Sequence, residues 1–363
     1  CDFVRLDPPH INRASLNITH PPTRTPNSLD FKLSPAQQQQ QQHHQYQQTQ
    51  TLPDLQTLLA STHSIMGNSV ISKYVFIPPE TTYTESYPYK VTYAQTRSNR
   101  RIPAYFIPCK KTKTKTTILY SHGNAADIGA MFDFLLFLHA NLPVNILHYE
   151  YIGYGLAKDQ GSPSEASTYE SVEAALEYLQ HEHEIMPSDC IIFGTSVGSG
   201  PSCHAASKYK CKGLILECPF TSCVRVVTNN IFGRAVDMFL NINKIDKVKS
   251  PVMIIHGKED SIVPFEHGVE LWKRVAHAYK YKNVWVDKAD HHSIIPNLTH
   301  GKYIEHMLNF IEHCDTFDST AAESSNGAPP QQKQRKKSTL YSISTPSEDV
   351  EFSSSPRFLK NNS

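Results

Sequence analysis

A serine set between glycines, Gly194-Thr195-Ser196-Val197-Gly198, follows the apolar run Cys190-Ile191-Ile192-Phe193 and precedes a helix-compatible stretch. A serine hydroxyl is a weak nucleophile. A turn that displays it needs a base nearby and an acid to orient that base. "IIHGKED" ends in Asp260, 64 residues after Ser196, with Glu259 beside it as an alternative acid. "WVDKADHHS" offers His291 and His292, and His291 lies 31 residues after Asp260. Asp287 and Asp290 read as residues that shape this loop. The order serine, acid, histidine suits a hydroxyl presented where a parallel strand turns into a helix. The glycines let backbone pass close to a strained turn, and a helix start favours developing negative charge. These residue types in this order fit acyl transfer.

Acyl transfer also needs two donors for the oxygen that gains charge, each worth about 3 kcal/mol of barrier. The backbone N–H of Val197 is one expected donor. "LYSHGNAADIG" supplies the other from a second strand-to-helix loop, through the backbone N–H of Asn124, with Gly123 allowing close approach.

The elements that must hold these groups alternate. "YKVTYAQT", "RIPAYFIPC", "TTILYSHG", "VNILHYEY", "CIIFGTS", "GLILECPF", "PVMIIHG" and "KNVWVDKAD" read as eight short strands. "MFDFLLFLHANL", "STYESVEAALEYLQ", "VGSGPSCHAASKY", "HGVELWKRVAHAY" and "KYIEHMLNFIEHC" read as helices, the second with Val172, Leu176 and Leu179 on one stripe. The pattern predicts an α/β fold, a mostly parallel eight-stranded sheet with helices on both faces. Its chemistry belongs at the carboxyl ends of the strands. Phe220 to Lys249, with Val224, Val226, Val227, Ile231, Phe232, Met238, Phe239 and Leu240, lies between two core strands. It is the natural place for a short lid, and its apolar residues serve either a pocket or the core.

This core is expected over residues 70–314. Residues 1–65, with the run Gln37–Gln42, and residues 315–363 bury too little apolar surface to offset ordering entropy and are expected to be disordered. The basic cluster Lys333–Lys337 reads as solvated tail. A net charge of +1 over 363 residues argues against a nucleic-acid partner, which requires a basic face. No apolar run is long enough to span a bilayer. Eight scattered cysteines without a C-x-x-C pair argue for a reducing compartment rather than a disulfide framework, and Cys203 for core packing. The sequons at Asn17 and Asn297 read as chance, and His181-Glu182-His183 as a helix end rather than a metal site. The reaction envisaged requires no metal or organic cofactor.

Several segments together resemble the α/β-hydrolase domain-containing proteins of the depalmitoylase group. They are "SHGNAADIG", "YEYIGYG" followed by "GSPSE", "GTSVGSGPS", "NINKIDKVKSPVMIIHGKED", "VPFEHG" and "WVDKADHHSI". "FIPPETTY" resembles the segment before that family's core. The resemblance implies an α/β-hydrolase fold and a Ser196, Asp260, His291 triad. It also implies hydrolysis of palmitoyl thioesters on membrane proteins. It favours His291 over His292: the family histidine follows Ala-Gly, and here Asp290 takes the glycine's place while His292 stands where asparagine is usual. The "GYG" loop holds two extra residues before "GSPSE". Depalmitoylase-type members carry an N-terminal cysteine cluster, whereas Cys1 is the single cysteine ahead of Cys109 here. Met66-Gly67-Asn68-Ser69 partly matches a myristoylation signal, with Ile71 at the position that wants Ser or Thr. The expected substrate is an acylated protein or a lipid-like ester. The expected location is cytoplasmic, with peripheral association at the cytoplasmic face of membranes left open. A lipase, a carboxylesterase, a serine aminopeptidase and a non-catalytic adaptor on the same fold are the alternatives.

Overall fold

The eight apolar runs become eight strands of one sheet in the computed structural model, which describes residues 75–227 and 237–320. In chain order they are β1 (Thr92–Gln95), β2 (Arg101–Ile107), β3 (Thr117–Ser121), β4 (Asn145–Tyr149), β5 (Cys190–Thr195), β6 (Gly213–Glu217), β7 (Val252–Gly257) and β8 (Lys280–Val286). The spatial order is β1-β2-β4-β3-β5-β6-β7-β8. β2 runs antiparallel to β1 and β4, and every other pairing is parallel. The helices are α1 (Phe132–Asn141), α2 (Glu165–His183), α3 (Ser199–Lys208), α4 (Cys223–Val227), α5 (Phe265–Arg274), α6 (Ile294–Leu298) and α7 (His300–Thr316).

Alternation along the strands divides the core into two layers. In β5, Cys190 and Ile192 join the layer under α2 and α3, while Ile191 and Phe193 join the layer under α1 and α7. Leu119 faces the first layer from β3, and Ile118 and Tyr120 face the second. A sheet covered on both faces needs apolar residues at successive positions, which is why the central strands read as unbroken runs. The stripe Val172, Leu176 and Leu179 is buried as expected. α2 begins at a reciprocal cap: the Ser164 hydroxyl accepts from Ser167 N–H, and the Ser167 hydroxyl from Ser164 N–H.

The described part of the segment between β6 and β7 packs as core. Val224, Met238 and Phe239 are buried, and Phe239 meets Phe76, Phe220 and Tyr169 edge to face. Ile231 and Phe232 lie outside the described residues, as do Gln37–Gln42, Asn17, the Met66 start, Lys333–Lys337 and the remaining tail residues from 321 onward. Cys203 is buried. His183 stacks on Phe106 and its Nε2 lies 3.3 Å from the Tyr178 hydroxyl, while His181 is exposed. No helix among the described residues is long and apolar enough to cross a membrane.

Candidate active site

β5 stops at Thr195, and the chain reverses into α3 through one turn at Ser196–Gly198. Ser196 holds φ of +52°, a conformation costly for a residue with a Cβ and tolerated where its surroundings fix it. The glycines on either side make that turn possible. A Cβ at Gly194 would sit 2.3 Å from the Gly198 carbonyl oxygen, and one at Gly198 would sit 2.1 Å from the Ser121 carbonyl oxygen. The expectation for Gly123 needs correcting. A Cβ there would meet Ser196 Cβ at 3.6 Å, an ordinary contact, so the approach of the two loops does not demand a glycine.

Asp260 and the loop after β8 come together because β7 and β8 are paired to their ends, Gly257 opposite Val286. Glu259 N–H then donates to the Ala289 carbonyl at 2.9 Å. A Cβ at Gly257 would lie 2.3 Å from that same carbonyl oxygen, so glycine sets how closely the loops approach. The side chains of Asp260 and His291 are buried, and Glu259 and His292 face solvent. Lys258 pairs with Asp287 at 2.6 Å, and Asp290 accepts from His292 N–H at 2.9 Å, both in shaping roles.

The three expected side chains form one chain of hydrogen bonds. His291 Nδ1–H donates to Asp260 Oδ2 at 2.7 Å, and His291 Nε2 lies 3.0 Å from Ser196 Oγ. A carboxylate only accepts, so the ring proton sits on Nδ1 and Nε2 is bare toward the hydroxyl. Asp260 Oδ1 accepts from the N–H groups of Ile262 at 3.0 Å and Val263 at 2.8 Å. Burial pulls the Asp260 carboxyl up. Hydrogen bonds from His256 and His291, the charge His291 carries once protonated and the Val263 N–H outweigh it and hold the group well below the usual carboxylate range.

The Asn124 loop stands beside the serine, with its side chain held by three hydrogen bonds. Nδ2–H donates to the Val75 carbonyl at 2.6 Å, while Oδ1 accepts from Ile77 N–H at 2.9 Å and the Tyr154 hydroxyl at 2.8 Å. The loop's carbonyls are pinned too: the Tyr151 hydroxyl donates to His122 O at 2.7 Å, and His122 Nδ1 reaches Gly123 O at 2.8 Å. His122 Nε2 lies 3.0 Å from buried Glu150. Asn124 and Val197 are thus both on turns that abut Ser196.

Two groups escaped the sequence reading. Glu217 ends β6 opposite Thr195, and its Oε2 accepts from the Tyr303 hydroxyl at 2.8 Å. Burial pushes its carboxyl up to about 7, against the Tyr303 hydrogen bond and the charge of His291. His256, inside β7, reaches Asp260 from behind. Cys218, His256 and Asp260 place ligand atoms within 4.8 Å of one another, a grouping of metal-ligand type among the described residues. Yet His256 Nε2 faces the Val263 carbonyl, and both Asp260 oxygens already accept N–H donors. The trio is a hydrogen-bond network.

Residues 164–316 match the prolyl oligopeptidase family. Alpha/beta hydrolase domain-containing protein 17B of Homo sapiens is 33% identical over 270 residues, covering 67% of this chain and 90% of the relative. The chain belongs to the alpha/beta hydrolase domain-containing 17 family. The 17C protein of Mus musculus is 35% identical over 227 residues, covering 62% of this chain and 68% of its own. The match spans about two thirds of the length of the 17C relatives. Among solved structures, an esterase of Pyrococcus furiosus has a TM-score of 0.52 at 17% identity, covering 65% of this chain and 99% of its own. A puromycin-hydrolyzing peptidase of Mycobacterium tuberculosis has a TM-score of 0.50 at 16% identity, covering 63% of this chain and 39% of its own. These two likenesses are of fold, and they place this member of the 17 family in the α/β-hydrolase fold.

Proposed function

We propose that the chain is a serine hydrolase of acyl esters or thioesters, acting through an acyl-enzyme on Ser196. The observation that carries the reading is the unbroken relay from Ser196 Oγ through His291 to Asp260, mounted on a turn whose serine holds φ of +52°. Ser196 attacks the carbonyl carbon while His291 Nε2 takes its proton. Asp260 holds the tautomer and stabilises the imidazolium. The backbone N–H groups of Asn124 and Val197 take the oxyanion. His291 returns the proton to the leaving thiol or alcohol. Water, activated by the same ring, then releases the acid.

The substrate we favour is a palmitoyl thioester on a protein, because the motifs around Asn124, Ser196, Asp260 and His291 resemble those of the depalmitoylase group. The catalytic domain is assigned to residues 70–314, with α7 running on past that bound to Thr316. The proposed setting is the cytoplasm, peripheral to membranes that carry acylated proteins. A fluorophosphonate probe tests the chemistry, and acyl thioesters and oxyesters of graded chain length test the substrate. Wild type is expected to label and to prefer long thioesters, and Ser196→Ala to do neither. Equal labelling of Ser196→Ala would refute the reaction, and a preference for short oxyesters would move the substrate to the carboxylesterase class.

A further inference from the structure

His256 lies near the carboxyl end of an apolar strand, fully buried, where a β-branched residue would pack at lower cost. Its Nε2 is 2.9 Å from the Val263 carbonyl oxygen and 3.3 Å from Asp260 Oδ2. Both partners only accept, so Nε2 carries the hydrogen, donated to the carbonyl with the carboxylate oxygen at longer range. Its Nδ1 is buried with no hydrogen-bond partner, so the ring is a neutral donor. That orphaned nitrogen is pressed against α5, where a Cβ at Gly268 would come within 2.5 Å of it. A glycine inside a helix weakens it, and here the glycine makes room for the imidazole. Two local features that cost stability, an unpaired buried nitrogen and a mid-helix glycine, therefore accompany one N–H that is donated to the Val263 carbonyl and lies 3.3 Å from the carboxylate.

We infer that His256 is a positioning residue for the proposed relay, a second imidazole that helps to fix the Asp260 carboxylate at the same oxygen His291 uses. Asp260 Oδ1 is held by two backbone N–H groups, and Oδ2 is shared between the two histidines. Three hydrogen bonds and the nearby His256 N–H together resist rotation of the carboxylate plane. The proton on His291 Nδ1 meets an oxygen whose spare electron density is already drawn toward His256. His256 adds this donor without adding charge, so the carboxylate remains the single full charge facing His291 Nδ1. Without it, Oδ2 would be held by His291 alone, and the ring that must face Ser196 would lose a fixed support.

The inference rests on the proposed relay, and its test separates the two. Glutamine places an amide nitrogen where imidazole Nε2 stands, whereas asparagine places one only as far as Nδ1, toward Gly268. His256→Gln and His256→Asn are compared with wild type and Ser196→Ala in full-length protein, by p-nitrophenyl acyl ester hydrolysis and fluorophosphonate labelling rate. Thermal unfolding is measured alongside. We expect His256→Gln to keep kcat within about threefold. We expect His256→Asn to lose roughly 10- to 100-fold in kcat and in labelling rate, with KM unchanged. Both variants active as wild type, or His256→Gln falling as far as His256→Asn, would overturn the role of His256. Ser196→Ala remaining active would instead overturn the relay itself.

Discussion

Replacing Asp260 with asparagine removes one charge and no volume, and the surrounding hydrogen bonds dictate the outcome. Oδ1 sits against the Ile262 and Val263 N–H groups, so the amide oxygen must stay there. The amide NH2 is left at the Oδ2 position, where His291 Nδ1–H points at it and His256 Nε2–H lies 3.3 Å away. Three donors then crowd one point, and of them His256 keeps an acceptor, the Val263 carbonyl. His291 relieves the conflict by shifting its proton to Nε2, which lets Nδ1 accept from the amide. The ring now presents an N–H to Ser196 Oγ, 3.0 Å away, and cannot take the serine's proton. A wrong-tautomer lesion of this kind costs about 10⁴-fold in kcat, equivalent to about 5 kcal/mol. Stability should fall by only about 1–3 kcal/mol, because His256 keeps the Val263 carbonyl and loses one acceptor. The assay is ester hydrolysis and fluorophosphonate labelling of Asp260→Asn beside wild type, with circular dichroism to confirm the fold. A folded variant within tenfold of wild type would refute the tautomer argument.

Gly198→Ala should be one of the most disruptive single-methyl additions in the chain. The new carbon would lie 2.1 Å from the Ser121 carbonyl oxygen, a backbone atom of β3 that cannot swing aside. A cost above about 3 kcal/mol is expected, lowering Tm by roughly 6 °C or more, and a Tm within 2 °C of wild type would count against the packing of the turn. Glu217 makes stability depend on pH. Its carboxyl is raised from 4.5 to about 7, so the folded state holds a proton the unfolded chain has released. Stability from this group is therefore full below pH 4.5 and is lost as pH rises through 7. Because the side chain keeps some solvent contact, about 3 kcal/mol is a ceiling. Glu217→Gln should remove that slope, so its Tm relative to wild type should rise between pH 4.5 and pH 8, and a gap constant with pH would contradict the assignment.

Much of this molecule is written in short stretches. The strands are legible because burial on both faces requires runs such as Cys190–Phe193 and Val252–Ile255, and the serine turn because its steric needs fall on Gly194 and Gly198. Asp260 over Glu259 follows from burial that a sequence expresses only through the register of β7 against β8. The preference for His291 over His292 comes from the resemblance, since two adjacent histidines are equivalent as residue types. What stays hidden is long-range. The Tyr303 hydroxyl and Glu217 lie 86 residues apart, and the Asn124 side chain binds a segment 47 and 49 residues upstream. No periodicity encodes such pairs. His256 is concealed differently: inside an apolar strand it looks like an interruption, and its purpose emerges once Asp260 is found four residues later on the same side. Gly123 shows the opposite error, because a glycine beside a close loop is not always one that the loop requires.

The two halves of the relay have unequal anchorage. Ser196 hangs from β5, with β3 on one side and β6 on the other, while His291 follows β8, the edge strand, which has β7 as its sheet neighbour. Fraying begins at margins, where fewer ladder bonds must break. In mild denaturant the imidazole should therefore drift from the hydroxyl while the middle of the sheet still resists hydrogen exchange. Loss of reactivity would then report on the rim of the molecule rather than on its interior.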